Sequence, residues 1–224
     1  HRINDFYKPG NLVVSTLQFE RRMAYLHKNG YQVISVTDFI NRLKQGRDFS
    51  LDKKTIVLTF DDGWQDNYTN AFTVLKRFGF TATIFLATGK INSPNYLNLT
   101  QIKEMIDYGL EFGAHTVSHP ILTQIPTKEA EREIRESRRM TSEFTGLAVS
   151  AFCYPKGDYN DEIKELVRKA GFECAFSIKP GKNTRESDLF ELARTEISGY
   201  DSLFDFVKKL SGAYDFLHGL VQKR

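Results

Sequence analysis

The chain has 224 residues and a formal net charge of +3, with 41% hydrophobic and 26% charged residues. This length and composition suit one soluble α/β domain with a full hydrophobic core. The charge is too small, and the lysines and arginines too scattered, to predict a nucleic-acid partner. The sequence also lacks an apolar run that would span a bilayer and a visible signal peptide.

The elements follow one another as strands and helices in alternation. Residues 1–3 resemble the end of a strand whose start is missing, which leaves room for an export signal or an anchor upstream. The strands predicted after this are 31–35, 55–60, 81–86, 111–114, 149–153, 173–177 and 189–197. The predicted helices are 15–29, 37–43, 67–78, 100–108, 127–144 and 161–170, with further helical segments from about residue 202.

Local signals mark several helix ends. Ser15 and Gln18 form a capping-box pattern, Thr37 is placed to cap the second helix, and Gly79 and Gly109 follow predicted last turns. The helix at 127–144 is rich in glutamate and arginine, which predicts a solvated face with pairs spaced by four residues.

Alternating strands and helices imply parallel pairing with right-handed crossovers. Because the chain has many such units and no Gly-x-Gly-x-x-Gly fingerprint, a β/α barrel is favoured over a dinucleotide-binding sheet. We predict a single domain over residues 1–224.

The two cysteines are predicted to be free and partly buried. Cys153 lies at the end of one predicted strand and Cys174 near the start of the next. If these strands are parallel neighbours, the two residues are offset by about three positions, or roughly 10 Å. That separation exceeds the reach of a disulfide.

The predicted strand at 55–60 ends in Asp61, Asp62 and Gly63. Neighbouring side chains of a strand point to opposite faces, so both carboxylates serve one site only if the chain leaves the strand there. Gly63 permits such a sharp turn. An ordinary Asp-Gly turn explains the same residues, and this stretch alone does not decide between the two.

Two of the five histidines form the sequence His-Thr-Val-Ser-His at 115–119. Spacing of four residues places both imidazoles on one side of a helical turn, close enough to share a metal ion, and Pro120 ends that turn. Such a pair is often incidental. Here it follows a predicted strand, as Asp61 and Asp62 do, and the active sites of β/α barrels lie at these strand ends.

Three motifs, in this order and separation, resemble those of the polysaccharide deacetylases, the NodB-homology or carbohydrate esterase family 4 group. They are Thr-Phe-Asp-Asp-Gly at 59–63, the histidine sequence at 115–119, and Phe-Cys-Tyr-Pro-Lys-Gly at 152–157. The likeness covers about residues 19–175, and its pattern is closest to the poly-N-acetylglucosamine deacetylase branch. It implies a distorted barrel of about seven β/α units and a hydrolase that removes acetyl groups from an N-acetylated glycan.

The resemblance also implies roles for four residues. Asp61 is the catalytic base, and Asp62, His115 and His119 hold a divalent metal, zinc before cobalt, nickel or iron. Physical chemistry supports this set, because two histidines and one carboxylate leave coordination positions open for water and a substrate carbonyl. A cation lowers the pKa of its water, so that a nearby carboxylate can remove a proton.

The third motif implies the site of the oxyanion. By resemblance, Tyr154 and the backbone N–H of Lys156 face the substrate, where an N–H stabilises the tetrahedral intermediate. The leaving amine then needs a proton. His218, in Leu-His-Gly near the C-terminus, is a loose match to the family's general acid.

The sequence departs from the family pattern at three places. Cys153 stands where the family has an arginine that orients the catalytic aspartate, and Arg194 is our candidate substitute. The family's fourth motif is not evident, since the only tryptophan is Trp64. His218 is the third departure, because its match to the general acid is weak. His1 lies at an apparent strand end and could therefore border the site. We prefer the interpretation that its position there is an effect of truncation.

Three other functions stay open at this point. Two histidines and one carboxylate also form the iron site of non-haem oxygenases. The departures fit a carbohydrate-binding relic that lacks catalysis, and related barrels hydrolyse amides of small cyclic substrates. By resemblance, we expect an extracytoplasmic or cell-envelope location. The sequence does not indicate the oligomeric state.

Overall fold

The computed structural model describes residues 1–46 and 54–212. Its strands are β1 Arg2–Ile3, β2 Val13–Val14, β3 Gln32–Ile34, β4 Thr55–Val57, β5 Thr59–Asp62, β6 Thr83–Leu86, β7 Glu111–Ala114, β8 Ala151–Cys153 and β9 Cys174–Phe176. Its α-helices are α1 Thr16–Lys28, α2 Val36–Lys44, α3 Thr73–Phe78, α4 Leu99–Tyr108, α5 Thr127–Thr145, α6 Asp161–Lys169 and α7 Leu203–Ser211. A π-helical segment, Asn67–Phe72, runs directly into α3.

Five strands form one parallel sheet in chain order, from β5 to β9. Two further parallel pairs, β1 with β2 and β3 with β4, form separate two-stranded sheets. This curled, all-parallel arrangement confirms the predicted α/β barrel-type fold. Since the strands are parallel, their carboxyl ends meet at one edge, and the loops that follow β5, β7 and β8 share that edge.

The strand expected at 55–60 is divided at Leu58. Thr55–Val57 pairs with β3, whereas Thr59–Asp62 pairs with β6. The carbonyl of Leu58 accepts a hydrogen bond from the N–H of Thr83 at the changeover. As a result, one continuous apolar run bridges two sheets, and the strand continues through both aspartates.

Two local expectations were wrong. Ser35, and not Thr37, caps α2, with its side chain accepting a bond from the N–H of Asp38. At 189–197 the described chain forms a single parallel bridge, between Leu192 and Phe176, in place of a strand. The capping box at Ser15 is confirmed.

The cysteines are free, as predicted, but they are completely buried. Cys153 pairs with Phe176 across β8 and β9, and Cys174 pairs with Ala151. The offset is therefore two positions, one fewer than expected. Within the described residues, no helix is long and apolar enough to cross a membrane.

The inside of the curved sheet is packed around Phe85. A Cβ atom at Gly113 on the neighbouring strand would lie 2.5 Å from the Phe85 ring and 2.9 Å from the carbonyl oxygen of Ala151. Because glycine has no Cβ atom, Gly113 on β7 leaves room for the Phe85 ring of the neighbouring strand β6.

We expect Gly113→Ala to lower the free energy of unfolding by about 1–3 kcal/mol, because the added methyl group overpacks the interior. Thermal and chemical denaturation measure this change. Gly10→Ala is the matched control, since its new Cβ meets no atom closer than 4.0 Å. Equal stability of the two variants would contradict this account of the sheet interior.

Candidate active site

The sequence-predicted residues of the first two motifs meet at the carboxyl edge of the sheet. Asp61 and Asp62 are the last residues of β5, and His115 follows β7 directly. Asp61 and His115 are buried, while Asp62 is half-buried. The site is therefore built on the ends of β5 and β7, the two neighbours of β6 in the sheet, with limited access to water.

The backbone turns sharply at Asp62. Both Asp62 and Gly63 have left-handed conformations, with φ of 78° and 76°. A Cβ at Gly63 would lie 2.9 Å from the side chain of Leu86, so glycine is required there by space as well as by conformation. The turn that directs both carboxylates to one site thus starts at Asp62 itself, one residue earlier than expected.

Three side chains present ligand atoms to one small space. Asp62 Oδ1 lies 3.6 Å from His115 Nε2 and 3.5 Å from His119 Nε2. All three atoms lie within 4.8 Å of one another. Two imidazole nitrogens and one carboxylate oxygen are the donor set of many catalytic divalent-metal sites, so the geometry fits a metal.

The tautomer of His115 is fixed for ligation. Its Nδ1 lies 2.7 Å from the carbonyl oxygen of Cys153. A carbonyl can only accept, so Nδ1 carries the proton and Nε2 turns its lone pair toward Asp62. Burial lowers the pKa of His115 to about 4, which keeps the ring neutral, as ligation requires.

The histidine motif does not form the helical turn expected from its spacing. Thr116 and His119 have left-handed φ values of 64° and 65°, and the chain between them is a bent loop. The N–H of His119 donates to Thr116 Oγ1 at 3.0 Å. Two reversals of the backbone bring the imidazoles together, in place of one helical face.

Glu133 on α5 shapes this loop, although it was not among the site residues predicted from the sequence. Its carboxylate accepts bonds from the N–H groups of Val117 and Ser118, at 2.8 and 2.9 Å, and from Ser118 Oγ at 2.8 Å. Glu133 is 6% exposed, although it belongs to the helix predicted to present a solvated charged face. Glu133 shares the buried face of α5 with Ala130, Ile134 and Ser137. Its place among these small and apolar residues at helical spacing is the signal that was missed.

Arg194 binds Asp61 with both ends of its guanidinium group. The Nη1–Oδ1 and Nη2–Oδ2 distances are 2.7 and 2.9 Å, and Arg194 Nε donates to the carbonyl of Ser177 at 3.0 Å. Burial on its own would raise the pKa of Asp61, but the charge and hydrogen bonds of Arg194 hold it well below its ordinary value. Asp61 is therefore an ionised carboxylate in a fixed orientation.

A second group of potential ligands, Asp61, His115 and Cys153, lies beside the first. Arg194 occupies both oxygens of Asp61 and also lies 3.0 Å from Cys153 Sγ. Burial raises the pKa of Cys153, which keeps its sulfur protonated. The guanidinium charge and the neutral thiol make this group unsuitable for a cation, so Asp62, His115 and His119 are the set that fits.

His1 borders the site, contrary to its interpretation as an effect of truncation. His1 Nδ1 lies 2.8 Å from Asp62 Oδ2, and Nε2 lies 4.0 Å from Asp61 Oδ2. Burial disfavours its charged form, but the hydrogen bond to Asp62 and the charges of both aspartates raise the pKa of His1. A contact across 61 positions leaves no local pattern in the sequence.

Trp64 also contacts Asp62. Its Nε1 donates to Asp62 Oδ2 at 2.9 Å, the oxygen that His1 also binds. A cavity of about 250 Å³ opens in front of these groups. Its lining residues are Asp62, Trp64, Ala87, Lys90, Tyr96, Ser118 and His119.

The third motif is less directly placed. Tyr154 is buried, its hydroxyl donates to the carbonyl of Phe190 at 3.0 Å, and its N–H donates to Phe176 at 3.1 Å. Both polar hydrogens of Tyr154 thus have backbone partners, and its role toward a substrate stays a prediction. Lys156 has a left-handed φ of 56° within the 3₁₀ turn Pro155–Gly157, and its oxyanion role stays a prediction. His218 lies outside the described residues.

Comparison with known proteins identifies the family. The sequence profile described as polysaccharide deacetylase matches residues 49–175. YxkH of Bacillus subtilis strain 168, a protein classed with the polysaccharide deacetylases, is 31% identical over 188 residues, which cover 84% of this chain and 67% of YxkH. The chain belongs to the polysaccharide deacetylase family, and the prediction of an enzyme of this class is confirmed.

Two further relatives extend the likeness. The poly-β-1,6-N-acetyl-D-glucosamine N-deacetylase of Staphylococcus aureus strain MRSA252 is 27% identical, over 92% of this chain and 74% of its own. The Streptococcus pyogenes deacetylase PplD, solved in complex with acetate, superimposes with a TM-score of 0.85 at 27% identity. That alignment covers 94% of this chain and 95% of PplD, so the likeness includes the segments outside the matched profile.

We expect Glu133→Ala to weaken metal binding and acetate release about 10- to 100-fold, because the loop between the two histidines loses its three bonds. Metal affinity is measured by competition with a chelator. Glu136→Gln is the control, one turn further along α5, where the side chain is exposed and paired with Arg139. Unchanged affinity in a folded Glu133→Ala variant would show that the loop holds its shape without this carboxylate.

Proposed function

We propose that the chain is a metal-dependent deacetylase that removes acetyl groups from the N-acetylated sugars of a polysaccharide or oligosaccharide. One observation carries the proposal: Asp62, His115 and His119 converge on one space while an ionised Asp61 is held beside it by Arg194. Metal ligands and a separate, oriented base are the two parts that amide hydrolysis by an activated water requires.

Asp62, His115 and His119 would hold the metal. Zinc suits this mixed nitrogen and oxygen donor set best, and cobalt, nickel and iron are compatible with it. Bound there, a divalent cation supplies a Lewis acid that polarises the acetyl carbonyl and lowers the pKa of a water molecule. The neutral His115, with Nε2 unprotonated, and the free Asp62 Oδ1 are ready to accept it.

Asp61 takes the proton from the attacking water. Arg194 fixes its orientation through two hydrogen bonds and balances its charge, which lowers the pKa of Asp61 and keeps the carboxylate ionised at neutral pH. Because Arg194 favours the ionised form of Asp61, the carboxylate keeps this proton only briefly and then releases it. The backbone N–H of Lys156 is retained as the proposed donor to the oxyanion.

His1 gives the leaving amine its proton. It lies 4.0 Å from Asp61 and is anchored through Nδ1 by Asp62, which leaves Nε2 directed to the site. Apart from the two metal ligands, it is the histidine that borders the site among the described residues. His1 thus takes the role for which His218 was a loose match.

The substrate class follows from the acetyl chemistry and the relatives. One relative is named for N-deacetylation of a β-1,6-linked N-acetylglucosamine polymer, and the structure of another contains acetate. A cavity of about 250 Å³ next to the metal ligands suits a single acetylated sugar unit. We propose that residues 1–224 form one such domain and act on a glycan outside the cytoplasm or in the cell envelope.

The alternatives lose their support. The carbohydrate-binding relic was suggested by a missing arginine and a missing acid, and Arg194 and His1 stand in those positions. The iron site of an oxygenase does not require a second carboxylate such as Asp61, bound by an arginine. Membership of the deacetylase family disfavours the iron oxygenase, and also a small cyclic amide substrate.

We expect acetate release from N-acetylated glycans to stop when the protein is stripped with a chelator and to return when zinc or cobalt is added without oxygen. The panel comprises chitin oligomers, β-1,6-linked N-acetylglucosamine oligomers, peptidoglycan and acetylxylan, assayed for free acetate. Full activity of the stripped protein, or activity that depends on iron and oxygen, would overturn the proposal.

We expect Asp61→Asn to lower kcat for acetate release about 10²- to 10⁴-fold while zinc stays bound, because the amide cannot accept the proton and is not a ligand. Zinc content and kcat are measured on the same sample. Loss of zinc together with activity would instead place Asp61 among the ligands.

We expect His1→Gln to lower kcat about 10²- to 10⁴-fold, with partial rescue by added imidazole, because the acid is lost and a cavity for imidazole remains. His27→Gln is the control, on an exposed position of α1. Wild-type kcat in the folded His1→Gln variant would assign the proton to another group.

A further inference from the structure

Asp66, three residues beyond Gly63, binds the first strand of the chain. Its Oδ2 accepts bonds from Arg2 Nε at 2.8 Å and Asn4 Nδ2 at 3.0 Å, and its Oδ1 accepts the N–H of Ile3 at 3.3 Å. The side chains of Asp66 and Arg2 are 5% and 16% exposed. A buried ion pair is stable only when its geometry is good and its polar atoms are hydrogen-bonded. Here both oxygens of the Asp66 carboxylate accept hydrogen bonds.

The guanidinium group of Arg2 lies among aromatic rings. Its carbon atom is 4.4 Å from the centre of the Trp64 ring and 4.3 Å from that of Tyr7. Tyr96 stacks on Trp64 with a centroid distance of 4.3 Å and an interplanar angle of 21°. Arg2 and Tyr96 therefore both pack against the Trp64 ring system and restrict its movement, while the polar N–H group of the indole lies on the ring edge.

That edge carries the Nε1–H that binds Asp62 Oδ2 at 2.9 Å. The other donor to the same oxygen, His1 Nδ1 at 2.8 Å, is the chain neighbour of Arg2. Both groups that hold Asp62 Oδ2 are therefore fixed by Arg2 and Asp66. With Oδ2 held in this way, Oδ1 is the oxygen that faces His115 and His119.

We propose that Arg2 and Asp66 are positioning residues that set the orientation of the Asp62 carboxylate for metal binding, acting through Trp64 and His1. The inference rests on the metal site given under the proposed function. Neither residue reaches the metal ligands by itself. Partners of a metal ligand commonly affect metal affinity 10- to 100-fold, since a freely rotating carboxylate must be ordered when the metal binds.

The 224-residue chain provides its own reporter, because Trp64 is its single tryptophan. We expect Asp66→Asn to weaken zinc binding 10- to 100-fold in competition with a chelator and to shift the Trp64 emission to the red, as the stack loosens and water reaches the indole. Arg77→Gln, which breaks an exposed arginine–carboxylate pair with Glu20, is the control and should change neither.

A double-mutant cycle separates positioning from a purely structural role. In a Trp64→Phe background, which lacks the indole donor, Asp66→Asn should cost less zinc affinity than in the wild type. The same reduction is expected in a His1→Gln background. Full additivity in both backgrounds would overturn the proposal, as would wild-type zinc affinity and emission in Asp66→Asn.

Arg2→Lys serves as the second variant if Asp66→Asn does not fold. It keeps the charge but removes the planar guanidinium group from among the rings, and the same loss of zinc affinity and the same red shift are expected. Wild-type zinc affinity in a folded Arg2→Lys variant would contradict the proposal. Failure of the wild-type chain to bind zinc or to release acetate would instead contradict the proposed function, so the two failures are distinguishable.

Discussion

Two adjacent carboxylates at the end of one buried strand impose the main constraint on this structure. Burying a carboxylate without a partner costs several kcal/mol, and two side by side repel each other. Each carboxylate has its own partners, which offset this cost: Arg194 neutralises Asp61, while His1 and Trp64 donate hydrogen bonds to Asp62. Both aspartates stay ionised next to each other because each has its own partners, and this difference in environment suits Asp61 to the proposed role of base and Asp62 to that of metal ligand.

The loops around the site depend on unusual backbone conformations. Four of the six non-glycine residues with positive φ in the described chain lie at this edge of the sheet: Asp62, Thr116, His119 and Lys156. Each such conformation costs of the order of 1–3 kcal/mol and persists only where contacts enforce it. Glu133 enforces the histidine loop from α5, and the sheet beneath Leu86 enforces the turn at Gly63. The stability of the helices and sheet thus maintains the geometry of the site.

The features of the structure that depend on local sequence patterns were predictable from the sequence. Strand and helix periods gave the parallel α/β barrel, and the motifs at 59–63 and 115–119 gave the residues that meet at its edge. The rest depends on contacts between distant segments: the burial of Glu133, the approach of His1 to Asp62, and the division of one apolar run at Leu58. The four-residue histidine spacing suits a helix and a bent loop equally well, so only the packing of α5 against the loop decides between them.

The central claim is that the two aspartates have separate tasks, and the structure of the zinc-loaded protein tests it most directly. A crystal structure with anomalous data at the zinc edge locates the ion and its ligands. The account predicts bonds to Asp62 Oδ1, His115 Nε2 and His119 Nε2, with Asp61 off the metal and still paired with Arg194. Zinc bound by Asp61 and Cys153, with Arg194 displaced, would contradict it.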